Sequence, residues 1–94
     1  MKEMIEMVVR DAIEELNSQF DDAIEYDKAV RLIGKDASID SMSFVTLISI
    51  IEELIDDRLG KDIEIVSDKA FSQKSSPFQT IETLEDYLLE LIEE

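Results

Sequence analysis

Ninety-four residues with 24 Asp and Glu against 9 Lys and Arg give a net charge of −15, with 45% apolar residues and neither cysteine nor histidine. That inventory excludes a zinc site, a disulfide framework and any Ser-His or Cys-His nucleophile, because each needs side chains that the chain lacks. The sign of the charge argues against nucleic acid and anionic membranes as partners and favours proteins with basic surfaces.

The length fits one domain spanning residues 1–94 with a thin core. The opening Met1-Lys2-Glu3-Met4-Ile5-Glu6 puts acids where a signal peptide needs an apolar run. No stretch approaches the roughly 18 apolar residues of a membrane span, so a soluble cytoplasmic protein without membrane insertion is expected. Ile5, Val8, Val9, Ala12, Ile13 and Leu16 recur at three- and four-residue steps, with Glu3, Glu6, Arg10, Asp11, Glu14 and Glu15 opposite. This spacing predicts an amphipathic helix ending near Asn17-Ser18.

From Asn17 to Asp40 the periodicity weakens, which predicts a long ordered loop with one helical turn around Asp21 to Val30. The strongest helical signal runs from Ser41 to Leu59, with Phe44, Leu47, Ile48, Ile51, Leu54 and Ile55 as its stripe and Gly60 as its stop. Ile63-Glu64-Ile65-Val66 reads as an extended connection, and Ser67 or Asp68 can cap a short helix through Ala70 and Phe71 before Ser75-Ser76-Pro77 breaks the chain. Thr80, or Thr83 three residues later, can cap a last helix whose Ile81, Leu84, Leu88 and Leu91 share a face, with Tyr87 and Ile92 beside it. The expected fold is all-α: a small irregular four-helix bundle with a long loop between helices 1 and 2. Neither Gly34 nor Gly60 follows the acid spacing of a calcium loop, so no metal site is expected.

The residues with chemical potential are Ile39-Asp40-Ser41-Met42, at the end of the loop and the start of the most apolar helix. A serine at a helix N-terminus lies close to backbone N–H groups, where a phosphate is favourably placed. Ser41 has no histidine to deprotonate it, and the nearest lysine in sequence is Lys35 in the loop. It can be phosphorylated or otherwise modified by another enzyme, and it is poorly equipped to catalyse on its own. By residue type and position alone, Ser41 reads first as a helix cap, because Ser and Asp at such positions are routine.

The run Asp40-Ser41-Met42, followed by Phe44-Val45-x-Leu47-Ile48 and Glu52-Glu53-Leu54, resembles the Asp-Ser-Leu motif and second helix of the acyl carrier and peptidyl carrier protein family. The closing Thr80-Ile81-x-x-Leu84-x-x-Tyr87-Leu88, the length and the acidity extend the resemblance over nearly the whole chain. It implies that Ser41 receives 4'-phosphopantetheine from coenzyme A through a separate magnesium-dependent phosphopantetheinyl transferase. The arm's thiol then carries an acyl or aminoacyl group as a thioester, so the protein is a carrier and not an enzyme, and the reactive sulfur comes from the cofactor.

The resemblance also implies a monomer that meets an acyl or aminoacyl ligase and downstream acyl-processing enzymes through their basic docking surfaces. Asp40, Met42, Val45, Glu52 and Glu53 would form the recognition surface. Between Asp36 and Gly60 six acids stand against one base, Arg58. Fatty-acid-synthesis carriers commonly have acids two and five positions after the serine, where this chain has Ser43 and Thr46. The segment from Lys61 to Gln79, with Phe71-Ser72-Gln73-Lys74-Ser75-Ser76-Pro77-Phe78, is also longer than in those carriers. Both departures favour a specialised stand-alone carrier over a housekeeping one. In such a fold Phe44, Phe71 and Phe78 would narrow any space for cargo and favour short or polar groups. The competing reading is an unmodified acidic helical module whose apolar groove binds a partner helix.

Overall fold

A computed structural model describes residues 2–19, 24–32, 39–66 and 78–93, apart from the Ser41 side chain. Within them the protein is all-α, with α1 at Lys2–Gln19, α2 at Ser41–Leu59 and α3 at Ile81–Glu93. The expected short helix at 67–71, the loop residues 33–38 and the break at Ser75-Ser76-Pro77 lie outside the described residues.

The helices form where apolar periodicity and caps coincide. In α1 the six stripe residues Ile5, Val8, Val9, Ala12, Ile13 and Leu16 are all buried. In α2 Leu47, Ile48, Ile51 and Ile55 are buried, and Phe44 and Leu54 pack against the core at its edge. In α3 Ile81, Leu84, Leu88, Tyr87 and Ile92 are buried, while Leu91 is only partly so. The α1 helix packs against both α2 and α3, so its apolar face supplies the common floor of one buried cluster. Burying each such side chain contributes about 1.5–3 kcal/mol before the entropy of ordering is subtracted.

The helix ends follow local chemistry. Gly60 closes α2 with φ 65° and ψ 26°, and its N–H donates to the Asp56 carbonyl at 3.0 Å. This left-handed conformation is one that residues with a Cβ avoid. At the start of α3 the Thr83 N–H donates to Thr80 Oγ1 at 3.2 Å and the Thr80 N–H donates to Thr83 Oγ1 at 3.0 Å. The pair is a reciprocal capping box with threonine in the place usually held by glutamate.

Of the helical turn expected around Asp21 to Val30, residues 21–23 lie outside the described residues. Residues 24–32 contain no helix: the Val30 N–H donates to the Asp27 carbonyl at 3.0 Å, and the Ala29 N–H donates to Asp27 Oδ1 at 2.8 Å. The aspartate side chain captures an amide that a helix would use, and the chain makes a tight turn instead. The turn presents carbonyls to α3, whose Ile81 and Glu82 N–H groups donate to Val30 and Lys28 at 3.1 Å each. Those amides are among the first of the helix and have no partner within it.

Side chains pin the same segment. Asn17 and Ile24 exchange two hydrogen bonds, at 2.8 and 3.0 Å, while Ile24 and Leu32 enter the core. Tyr26 donates its hydroxyl to Glu85 Oε2. Lys28 Nζ lies 3.2 Å from Glu6 Oε2 and 3.4 Å from Glu85 Oε1, and the Arg10 guanidinium sits 5.0 Å from the centre of the Tyr26 ring. The neighbouring carboxylates hold the Lys28 ammonium above its ordinary pKa, Glu6 foremost. Burial, then the Glu85 carboxylate, pushes the Tyr26 phenol well above its usual range.

Candidate functional site at the start of the second helix

Asp40, not Ser41, caps α2. Its backbone is extended, its carboxylate accepts from the Ser43 N–H at 2.7 Å, and its carbonyl accepts from the Phe44 N–H at 2.9 Å. The Ser43 amide, with its hydroxyl and the Met42 amide adding to it, holds the Asp40 carboxyl below the usual carboxylate range. The cap is therefore ionised at neutral pH and complements the positive end of the helix dipole. Ser41 is the first helical residue, and the capping role that competes for it in the sequence belongs to its neighbour.

The side chains that follow divide by helical phase. Met42 and Val45 are large apolar residues at 69% and 62% exposure, whereas Ser43 is buried at 5%. The position two residues after the serine therefore faces the interior, which gives a physical reason for a small neutral side chain there. Thr46 bonds its own helix, donating its hydroxyl to the Met42 carbonyl at 3.0 Å.

Glu52 and Glu53 are adjacent in sequence but serve different flanks. Glu52 is half-buried and accepts the Ile65 N–H on Oε1 at 2.9 Å, which fastens the 61–66 connection to α2. That anchor brings Val66 to the α2 surface, where Phe44, Val45, Ile48, Ser49, Glu52 and Val66 line an open groove of about 200 Å³. Glu53 is exposed and faces the seam with α1, lining a second groove of about 340 Å³ with Asp11, Glu15, Ile50 and Leu54. Arg58, the one base of the 36–60 stretch, is held there by Asp11 at 2.6 Å.

Of the residues selected from sequence, the structure thus gathers Asp40, Met42, Val45 and Glu52 along the start and one flank of α2 and sets Glu53 on the other. One contributor to this surface, and one buried charge on α3 away from it, were not selected. Val66 joins the apolar patch, and the extended Ile63-Glu64-Ile65-Val66 alternation, with Ile65 fully buried, is the signal that would have turned it outward. Glu85, buried at 3%, stands four residues after Ile81 and one after Leu84, so its place on the apolar stripe was readable as a charge needing a partner.

Among the described residues no group of three or more acids is arranged to hold a metal ion, and no helix is long and apolar enough to cross a membrane. Compared with known proteins, the chain matches no protein-family model, no curated protein and no solved structure.

Proposed function

We propose that this chain is an acyl or aminoacyl carrier protein, modified on Ser41 by 4'-phosphopantetheine donated by coenzyme A. The observation that carries the reading is the start of α2. A dedicated aspartate cap leaves the following serine as the first helical residue, beside two exposed apolar side chains, Met42 and Val45. In the modification, Ser41 Oγ forms a phosphoester bond to the pantetheine phosphate as the phosphoanhydride bond to adenosine 3',5'-bisphosphate breaks. The serine proton passes to a base of the transferase. The phosphate then lies by a helix N-terminus, whose amides and dipole favour an anion. When bound, the arm supplies the thiol that holds cargo as a thioester.

This chain's own contribution is presentation. Met42, Val45 and Val66 offer a small apolar patch beside Glu52, and Glu53, Asp56 and Asp57 add negative charge on the other flank and the far end of α2. Charge of one sign around a small contact suits fast, reversible encounters with the transferase, with a ligase and with acyl-processing enzymes whose docking surfaces are basic. The reading assigns the protein to the cytoplasm as a monomer in specialised biosynthesis. It assigns residues 67–71 to a short additional helix, completing four. Glu52 acts as the anchor of the 61–66 connection as well as a neighbour of the patch.

The test is labelling with a fluorescent coenzyme A analogue by a promiscuous phosphopantetheinyl transferase in the presence of magnesium. The parent chain takes up label and the Ser41→Ala variant takes up none. A folded parent chain that stays unlabelled, with a control carrier labelled in the same reaction, rejects the reading in favour of an unmodified interaction module.

A further inference from the structure

Tyr87 is only 3% exposed, and its buried hydroxyl has no hydrogen-bond partner among the described residues. Phenylalanine would fill the same space without stranding a polar atom, so packing alone does not account for the tyrosine. The ring meets Phe78 edge-on, with centres 6.2 Å apart and planes at 87°, and Phe78 meets Phe44 in the same manner at 5.4 Å and 71°. Phe44 in turn forms part of the wall of the groove shared with Val45, Ile48 and Val66, one helical turn beyond Ser41. A continuous series of aromatic contacts therefore leads from the groove beside the serine to the stranded hydroxyl.

We propose that this aromatic series is the inner wall of a cargo site and that the Tyr87 hydroxyl pairs with a polar atom on the cargo. The substrate class is then an acyl group bearing a hydroxyl, carbonyl or amide, not a plain saturated chain. The inference rests on the carrier reading and deepens it. Phe44 is half-buried and the groove ends at its ring, so cargo entering by this route would have to turn that ring aside to reach Phe78. Edge-on aromatic contacts are individually weak and re-form around an inserted group. A saturated chain entering by this route leaves the hydroxyl stranded, whereas a cargo with a polar atom at that depth satisfies it. Tyr87 is thus a specificity-determining residue.

The experiment loads the parent and Tyr87→Phe proteins from acyl-coenzyme A pairs of equal length. The pairs are heptanoyl with 6-hydroxyhexanoyl and nonanoyl with 8-hydroxyoctanoyl, and intact mass verifies loading before thermal melting is measured. The parent is expected to melt at least about 4 °C higher with the hydroxylated member of a pair, the shift that one recovered hydrogen bond produces in a domain of this size. In Tyr87→Phe that difference disappears. Equal melting within both pairs in the parent, or a difference that persists in the variant, overturns the inference while leaving the carrier reading intact. Absence of loading, with the transferase active on a control carrier, overturns both.

Discussion

Tyr26 and Glu85, 59 residues apart in sequence, share a hydrogen bond that fastens the 24–32 segment to α3, and this bond can be measured in isolation. Tyr26→Phe removes only the hydroxyl: the ring, and with it the contact to Arg10 at 5.0 Å, remains. Glu85 is 2% exposed in its side chain, so its carboxylate has little recourse to water when the donor is lost. Its other support is Lys28, which is 39% exposed and shared with Glu6. An ion pair so accessible to solvent contributes little.

A hydrogen bond to a buried charge contributes about 1.5–3 kcal/mol, so Tyr26→Phe should cost about 2 kcal/mol, or about 8–16 °C in Tm. Glu85→Gln keeps an acceptor for Tyr26 while discarding the charge and should cost about 1 kcal/mol. Urea unfolding of both variants and the double variant closes the cycle, and slopes that stay constant show that the unfolded states are comparable. We expect a coupling of about 1 kcal/mol. A coupling below about 0.5 kcal/mol would mean that the two side chains act independently, and would refute this account of how the connection is held.

Alkaline pH should loosen the same segment. The pKa values of Tyr26 and Lys28 are both raised by folding, so their stabilisation is complete below the unfolded values of about 10 and is lost as pH rises above them. Melting curves should fall with rising pH from about pH 10, less steeply in Tyr26→Phe, and parallel curves would contradict the assignment. Asp40 behaves oppositely: its pKa is depressed, so its contribution is present above the unfolded value and disappears as pH falls through the folded one. Asp40→Ala should lower Tm by a few degrees at pH 7, and the gap to the parent should close below about pH 4. A Cβ built on Gly60 meets nothing within 4 Å, so Gly60→Ala tests its φ of 65° alone. Urea unfolding should show a loss of about 1 kcal/mol, with Asn tolerated better; an unchanged midpoint would mean that the turn is not left-handed.

What was legible in the sequence was governed by local rules. The stripes of α1, α2 and α3 follow helical spacing, and Gly60 and Thr80 end or begin helices through contacts within a few residues. At Asp27 the outcome depends on which amide one side chain captures, so the described part of the expected helical turn, residues 24–30, holds a tight turn and no helix. Ser41 and Asp40 are both good caps by type, and only the geometry, with Asp40 bonded to the Ser43 N–H, assigned the role. The resemblance places Glu52 on the recognition surface, and an amide 13 residues away also occupies it, a contact that no local pattern reveals. Glu85 and Tyr26 escaped for a related reason: a contact across 59 residues leaves no periodic trace, although a charge on an apolar stripe signalled that some partner had to exist.

The central claim is that Ser41 is a modification site, and the most direct measurement is the intact mass of the purified parent and Ser41→Ala proteins. Each is weighed before and after incubation with phosphopantetheinyl transferase, magnesium and coenzyme A. The account predicts a gain of one phosphopantetheinyl unit by the parent, located by peptide mapping to Ser41, and no gain by the variant. A folded parent whose mass does not change beside a modified control carrier, or a variant that gains the same mass, would contradict it.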